Sequence, residues 1–455
     1  MSSSFAYRHS PIWAQELLIS AKSSLRSTMR EGRAFEAMAA EIHKSEWWSE
    51  RQLRGFQSQR LRLIVESAAR DVPYYREKYG PLGLDFEKLE FPDAVASLPF
   101  ITKADVREGG KSLISEERRG PTLFPGNTSG TTGTPLKLYQ DLPAINRENA
   151  FIWRQLTWAG LRRGDRRAWI RGDVIVPARQ QKPPYWRLNR AENMLMLSSF
   201  HLSESAAPAY FDSLTVFDPV VIQAYPSSIG FLASWMLSAG LRHRGRSLRG
   251  IVASSETLSD AQRREIERAF GCAVFNWYGQ FERVAAIGTC EHGRYHLMSD
   301  YSFVEMLPAE NGLFELVGTG FFNLSMPLIR YRCGDLVRPA PATERCACGR
   351  SFPLIEQVIG RADDPVKLPD GRSIGRLHHI FNDVEGILEA QIRQDRLDAI
   401  AILVVPSPTF NDRTRETLQS NARCRLGDGI ALEIQMVDSI PRTRNGKFKS
   451  VVCNV

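Results

Sequence analysis

Residues 128–135 read Thr-Ser-Gly-Thr-Thr-Gly-Thr-Pro, and this stretch says more about the fold than any other in the chain. Such a composition makes a poor helix or strand and a good anion cradle, because Gly130 and Gly133 let the backbone turn with little steric hindrance. Beside exposed backbone N–H groups, side-chain hydroxyls can then donate to phosphate oxygens. Four residues supply these hydroxyls: Thr128, Ser129, Thr131 and Thr132. The alternative is a flexible surface loop. A Walker loop is excluded, since the Gly-x-x-x-x-Gly-Lys spacing is missing.

Size and charge restrict the class of protein. A chain of 455 residues exceeds one hydrophobic core, so two or more domains are expected. The formal net charge of +8 suits an anionic substrate, CoA, an acidic carrier protein or nucleic acid. However, the basic clusters, such as residues 242–246, are short and lack interleaved aromatic residues, which argues against nucleic acid.

The sequence predicts a cytoplasmic protein. No apolar run approaches the ~20 residues that span a bilayer, and the N-terminus lacks the apolar core of a signal peptide. A loose association with a membrane surface stays open. Seven cysteines form an odd, low count that does not indicate a disulfide framework.

The middle of the chain predicts a doubly wound α/β sheet. Apolar runs at 220–224, 250–253 and 273–277 are expected strands, and helices are expected from Pro226 to Gly240 and from Ser259 to Gly271. Ligands bind at the carboxyl ends of strands in such sheets, and the polar segments 254–256 and 278–280 directly follow strands. Residues 10–75 have an amphipathic helical pattern.

A domain boundary is predicted after Arg361. It precedes a polar stretch with Pro365, Pro369 and Gly371, and the remaining residues contain a strand pattern at 399–405 and a helix pattern at 411–424. The expected domains are 1–361, with a helical N-terminal segment, and 362–455, a small α+β domain.

Six segments, in order, resemble the adenylate-forming superfamily, and most closely its phenylacetate–CoA ligase and CapK-like branch. They are TSGTTGTP (128–135), SSETL (254–258), YGQFE (278–282), YRCGD (331–335), GRADD (360–364) and PRTRNGK (441–447). The resemblance implies a large N-terminal AMP-binding domain of several subdomains and a mobile C-terminal domain. It implies an AMP-forming ligase, which converts ATP and a carboxylic acid to acyl-adenylate and then transfers the acyl group to CoA, a carrier protein or another nucleophile.

The resemblance also assigns roles to residues. Residues 128–133 would hold the ATP phosphates, Tyr278 would stack on adenine, and Asp335 would accept hydrogen bonds from the ribose. Glu282 would bind Mg²⁺. The remaining nucleotide-binding candidates are Ser255, Glu256, Gly279, Gln280 and Arg361.

Lys447 is the catalytic candidate, since an ammonium group there would stabilise charge that develops on the α-phosphate and the carboxylate. Without the resemblance, Lys447 would be interpreted as a solvated surface charge. Asp363 matches the family's hinge position, with a plain linker carboxylate as the alternative. Two residues depart from the family pattern: Leu136 stands where lysine is frequent, with Lys137 next, and Cys333 replaces the usual threonine.

Four residues suggest a structural zinc site: Cys290, His296, Cys346 and Cys348. Two or three thiolates with an imidazole suit tetrahedral Zn²⁺, and members of the resembling branch carry similar Cys/His pairs. His292 is a rival ligand, and buried or free thiols are the alternative.

A different class of function also stays open: a nucleotide-binding homologue that has lost catalysis and serves as a scaffold or sensor. The Leu136 departure supports it. A homodimer is possible, because dimers are common in the resembling branch.

Overall fold

The computed structural model describes residues 5–30, 33–83, 85, 88–127, 136–177, 179–361, 366–369, 373–374, 377–381, 384, 386–427, 429–443 and 448–455. Residues 128–135, Asp363 and Lys447 lie outside this part of the chain, and for Arg361 only the backbone is described. The roles predicted for these residues therefore stay predictions.

Helices and strands are numbered here in chain order. The helices are α1 Phe5–His9, α2 Ile12–Arg30, α3 Arg33–Ser45, α4 Glu50–Asp71, α5 Pro73–Tyr79, α6 Lys103–Gly109, α7 Leu142–Trp158, α8 Ala207–Phe217, α9 Pro226–Ser238, α10 Asp260–Phe270 and α11 Asp412–Leu426. The strands are β1 Phe124–Asn127, β2 Lys137–Gln140, β3 Arg167–Arg171, β4 Trp186–Asn189, β5 Met194–Ser198, β6 Val221–Ala224, β7 Gly250–Ser254, β8 Ala273–Gly279, β9 Ala286–Thr289, β10 Tyr295–Leu297, β11 Ser302–Pro308, β12 Phe314–Gly320, β13 Tyr331–Pro339, β14 Leu354–Arg361, β15 Val366–Lys367, β16 Ser373–Ile374, β17 Ile387–Arg396, β18 Ala399–Pro406, β19 Ala431–Met436 and β20 Val451–Cys453. None of the helices in the described residues has both the length and the hydropathy to cross a membrane.

The chain divides into two compact units. The first contains Met1–Ser23, Gly160–Val274 and Arg361–Val455, and the second contains Ser24–Ala159 and Phe275–Gly360. The boundary predicted between residues 361 and 362 stays a prediction.

The first unit confirms the predicted alternation of strands and helices. Its strands lie in the order β7-β6-β3-β5-β4, with β4 antiparallel to β5 and the other neighbours parallel. Every residue of β6 and β7 is buried, as expected for parallel strands covered on both faces. The Ser259 hydroxyl caps α10 by accepting from the Gln262 N–H, and Gly271, with φ of 69°, ends that helix.

Residues after Arg361 form a small α+β structure within the first unit. Its strands lie in the order β19-β18-β17-β20, and α11 packs on them through Leu418 and Ala422. Ile392, Ile402 and Val451 supply the sheet side of this core. A small C-terminal α+β domain is therefore present, as the sequence predicts.

The second unit holds the strands β11-β12-β13-β14-β10-β9-β8, with antiparallel pairing at β11–β12, β12–β13, β14–β10, β10–β9 and β9–β8. A separate antiparallel pair, β1 and β2, flanks residues 128–135 in the sequence. The core contains large buried side chains from the helical segment and from the sheet, such as Tyr75, Leu113, Phe321 and Tyr331.

Candidate active site and metal centre

The strands that flank residues 128–135 contact the 278–282 segment. The Phe281 ring lies so close to Gly126 that an added Cβ would come within 2.1 Å of it, so a side chain at position 126 would require this ring to move. The Gln140 amide donates to the Phe281 carbonyl at 3.0 Å. Since Gly126 is in β1 and Gln140 in β2, both strands of the pair are fixed to this segment.

The family departure at residue 136 has a clear structural consequence. Leu136 is buried in the core of the second unit. Lys137 is exposed, with its Nζ 5.3 Å from the centre of the Tyr139 ring. An apolar side chain at position 136 therefore contributes to packing here.

Three predicted nucleotide-binding residues lie together in the second unit. The Tyr278 hydroxyl donates to Asp335 Oδ2 at 2.7 Å, and the Gln280 amide donates to the same oxygen at 2.7 Å. The Cys333 thiol donates to Gln280 Oε1 at 3.4 Å, so sulfur provides the donor at this departure from the family pattern. Burial, and then the nearby Asp335 charge, hold the pKa of Tyr278 well above its usual range, which keeps the phenol a neutral donor.

Glu282, the predicted Mg²⁺ ligand, is also buried in this unit. The Tyr331 hydroxyl donates to its Oε1 at 3.3 Å. Gly279, the last residue of β8, joins Tyr278 to Gln280. A buried carboxylate whose hydrogen-bond donor is a neutral hydroxyl offers a hard oxygen ligand, which suits Mg²⁺.

A second cluster forms in the first unit, where β3, β6 and β7 end. Parallel strands bring their carboxyl ends to one edge, and there Arg171 Nη2 donates to the Ser255 hydroxyl at 2.6 Å. The Arg171 guanidinium lies over the rings of Trp169 and Tyr225, at 4.9 and 5.1 Å. Ser255 has φ of 71°, a strained conformation that is frequent at functional sites. Arg171 was missed from the sequence, although its place as the last residue of a strand was a usable signal.

Glu256 binds two backbone groups with its two carboxylate oxygens. Oε2 accepts from the Ser227 N–H at 3.0 Å in the first turn of α9, and Oε1 accepts from the Phe448 N–H at 2.7 Å. Arg442 forms an ion pair with the buried Glu389, and its guanidinium lies 5.1 Å from the Phe448 ring centre. Arg442 and Phe448, which flank Lys447 in the sequence, are thus both anchored in the first unit.

The predicted metal ligands come together in the second unit. The ligand atoms of Cys290, His296, Cys346 and Cys348 all lie within 4.8 Å of one another. The sulfurs of Cys290 and Cys346 are 3.6 Å apart, and Cys348 Sγ is 3.4 Å from His296 Nε2. Tetrahedral zinc, with Zn–S of about 2.3 Å and Zn–N of about 2.0 Å, requires separations of roughly 3.8 and 3.5 Å, so the donor set fits this ion.

The two strongest charge effects in this cluster come from burial. Burial raises the pKa of the Cys290 thiol to about 12 and lowers the pKa of His296 to about 4. The imidazole is therefore neutral at physiological pH, which is the form that binds metal.

Arg350 connects both ligand segments to the helical N-terminal region of the same unit. Its Nη1 donates to both carboxylate oxygens of Glu291 at 2.9 Å, and its Nε donates to the buried Glu46 at 3.1 Å. The guanidinium lies over the rings of Trp47 and Trp158, 4.8 and 4.1 Å from their centres. This buried cation is paired and stacked, which compensates for the loss of hydration.

Comparisons with known proteins agree with this architecture. The family of CapK C-terminal domains matches residues 368–454. Protein CapK of Staphylococcus aureus is 25% identical over 461 residues, 99% of each chain. The phenylacetate-coenzyme A ligase of Thermus thermophilus is 25% identical over 435 residues, 88% of this chain and 96% of its own.

Among solved structures, 2-hydroxyisobutyryl-CoA ligase in complex with R3-HIB-AMP has a TM-score of 0.67 at 19% identity, covering 90% of this chain and 91% of its own. That likeness concerns the fold. The resemblance identified in the sequence is confirmed: this chain is a homologue of Protein CapK and of the phenylacetate-coenzyme A ligases, and it has the fold of the adenylate-forming CoA ligases.

Proposed function

We propose that this protein activates a carboxylic acid with ATP, releases pyrophosphate, and transfers the acyl group from the acyl-adenylate to a thiol. The observation that carries the proposal is the buried Asp335 carboxylate, on which Tyr278 and Gln280 converge. Tyr278 and Gln280 belong to the 278–282 segment, which also contacts β1 and β2, the strands flanking residues 128–135.

Asp335 would bind the ribose hydroxyls. A carboxylate has about four acceptor sites, so Asp335 can accept from a ribose while it keeps Tyr278 and Gln280 as donors. The Tyr278 ring would contact adenine. These contacts would fix the nucleotide so that its α-phosphate faces the acid, and positioning of this kind is a large part of catalysis in such reactions.

The phosphates would be held by the hydroxyls and N–H groups of residues 128–133. Glu282 would hold Mg²⁺, which neutralises phosphate charge. Lys447 would stabilise the charge that develops as the carboxylate attacks the α-phosphate. Ser255, Glu256 and Arg361 keep their proposed place in the nucleotide site, and Asp363 its proposed place as hinge.

CoA is the favoured acceptor. The relatives named phenylacetate-coenzyme A ligase support it, because one of them aligns with 88% of this chain. A carrier protein or another nucleophile stays an alternative, since Protein CapK, which is similar over 99% of this chain, is not named for CoA.

We also propose that Cys290, His296, Cys346 and Cys348 hold a structural zinc ion. No coordination position is left for a substrate if all four bind, so such an ion would stabilise the fold.

Pyrophosphate–ATP exchange with a panel of carboxylic acids tests the function. Exchange should occur with at least one acid, and Lys447→Ala should reduce it by about 10²–10³-fold. Lys449→Ala is the matched control, since it removes the same charge two residues away and should leave exchange within a few-fold. Absence of exchange across the panel, or equal losses in both variants, would contradict the proposal.

A further inference from the structure

Helix α2 is attached to the first unit by its polar side. Four of its residues accept hydrogen bonds from β4 or from the residue that follows it. These bonds are Arg187 Nε to Gln15 Oε1 at 2.7 Å, Leu188 N to Glu16 Oε1 at 3.0 Å, Arg190 N to Ser20 Oγ at 3.0 Å, and Asn189 Nδ2 to Ser23 Oγ at 3.0 Å. Since β4 is the last strand in its sheet order, α2 satisfies donors that an uncovered edge would present to solvent.

The opposite side of α2 is apolar and exposed. Trp13 is 70% exposed, Leu17 61% and Leu18 37%. At about 100° per residue these three side chains fall within roughly 140° of the helix circumference. They therefore form one continuous surface, here called the α2 apolar face.

Apart from Ile19, which packs against a buried apolar cluster of the first unit, this orientation is the reverse of the usual one. A surface helix normally buries its apolar stripe and exposes its polar residues. In α2, Gln15 and Ser23 are buried, whereas Trp13 and Leu17 lie in solvent. Contiguous exposed apolar surfaces of this kind mark contacts with a protein or a membrane.

The charges around the α2 apolar face distinguish these two partners. Lys22 is exposed one turn after Leu18, and Glu16, the helix's single acidic residue, accepts from the Leu188 N–H on the attached side. A lysine at the border of a surface of tryptophan and leucine suits the headgroup region of an anionic bilayer. In a two-fold contact between identical chains, α2 would bring Lys22 of each copy together without an acidic residue of α2 to pair with it.

We propose that the α2 apolar face binds the surface of an anionic lipid bilayer, with α2 lying in the plane of the headgroups. Trp13, Leu17 and Leu18 enter the acyl boundary, and Lys22 stays at the phosphates. The protein would associate with the membrane reversibly and without spanning it. This inference is independent of the proposed ligase activity.

Co-sedimentation with vesicles tests this inference. The full-length protein should bind vesicles of phosphatidylcholine mixed with phosphatidylglycerol, and bind pure phosphatidylcholine at least severalfold more weakly. The double variant Trp13→Gln/Leu17→Gln should lose about tenfold or more in binding, because both side chains leave the bilayer. Lys22→Gln should lose about fivefold on anionic vesicles, and added salt should weaken binding.

Val216→Gln is the matched control, since Val216 is an apolar residue on α8 that is 84% exposed and lies outside the α2 apolar face. It should bind vesicles as the unmodified protein does. Circular dichroism melting confirms that each variant folds. Failure of the unmodified protein to bind anionic vesicles would overturn the proposal. Light scattering without lipid gives the second decisive result: a dimer that Trp13→Gln/Leu17→Gln converts to a monomer, with no vesicle binding, would assign the face to a second copy.

Discussion

Replacing Glu256 by glutamine should loosen the attachment of the chain at Phe448. In the structure both Glu256 oxygens are used, one by the Ser227 N–H and one by the Phe448 N–H. Glutamine has the same shape but only one acceptor oxygen. Its NH2 group would therefore face one of the two backbone N–H groups, and two donors cannot form a hydrogen bond with each other.

The magnitude follows from the two hydrogen bonds. A hydrogen bond to a charged group contributes about 1.5–3 kcal/mol and a neutral one about 0.5–1.5 kcal/mol. Because Glu256 is half-buried, the lower part of these ranges applies, and the loss at Phe448 should be about 1.5 kcal/mol. That difference is roughly a tenfold change in the equilibrium between attached and detached forms.

Hydrogen exchange measured by mass spectrometry reports this equilibrium directly. The amide of Phe448 should exchange about tenfold faster in Glu256→Gln. Glu267→Gln is the matched control, since the half-buried Glu267 also accepts from a backbone N–H, that of Val274 at 3.1 Å, in the same unit. It should leave Phe448 unchanged. Unaltered exchange at Phe448 in Glu256→Gln would refute the reasoning. If attachment positions Lys447, pyrophosphate exchange should fall by a similar factor.

Three further predictions concern the second unit. Purified protein should contain about one zinc ion per chain, measured by inductively coupled plasma mass spectrometry. Cys348→Ser should lose this ion and unfold at a lower temperature, whereas the control Cys272→Ser should retain it. Equal metal content in both variants would exclude the proposed site. Asp335→Asn should reduce pyrophosphate exchange by about tenfold or more at subsaturating ATP, through loss of charged hydrogen bonds to ribose; an unchanged KM for ATP would argue against ribose binding there. Cys333 should resist alkylation at pH 8 in the native protein, because burial raises the pKa of its thiol well above the usual value and the thiolate appears only at higher pH; Cys424, which is exposed, should react first, and rapid native labelling of Cys333 would contradict this.

The strand and helix order around residues 220–277 could be predicted because each boundary has a local signal. Ser259 caps α10 through Gln262 three residues later, and Gly271 ends the helix with positive φ. The four metal ligands could be grouped for a similar reason, since thiols and imidazoles are few in this chain.

Contacts between distant segments could not be predicted. Nothing near Glu256 in the sequence points to Phe448, which is 192 residues away. The stacking of Arg171 depends on Tyr225, at the end of another strand. The orientation of α2 could not be predicted either. An apolar periodicity predicts which side of a helix is apolar but not which side packs against the protein.

The position of Arg350 has a consequence for protein engineering. A guanidinium that binds both Glu46 and Glu291 connects the helical N-terminal region to the cysteine-bearing segments through one buried side chain. Chimeras with a relative should therefore exchange residues 33–71 and 290–350 together. If only one of these segments came from the relative, the buried Arg350 guanidinium would face residues that had not been selected to pair with it.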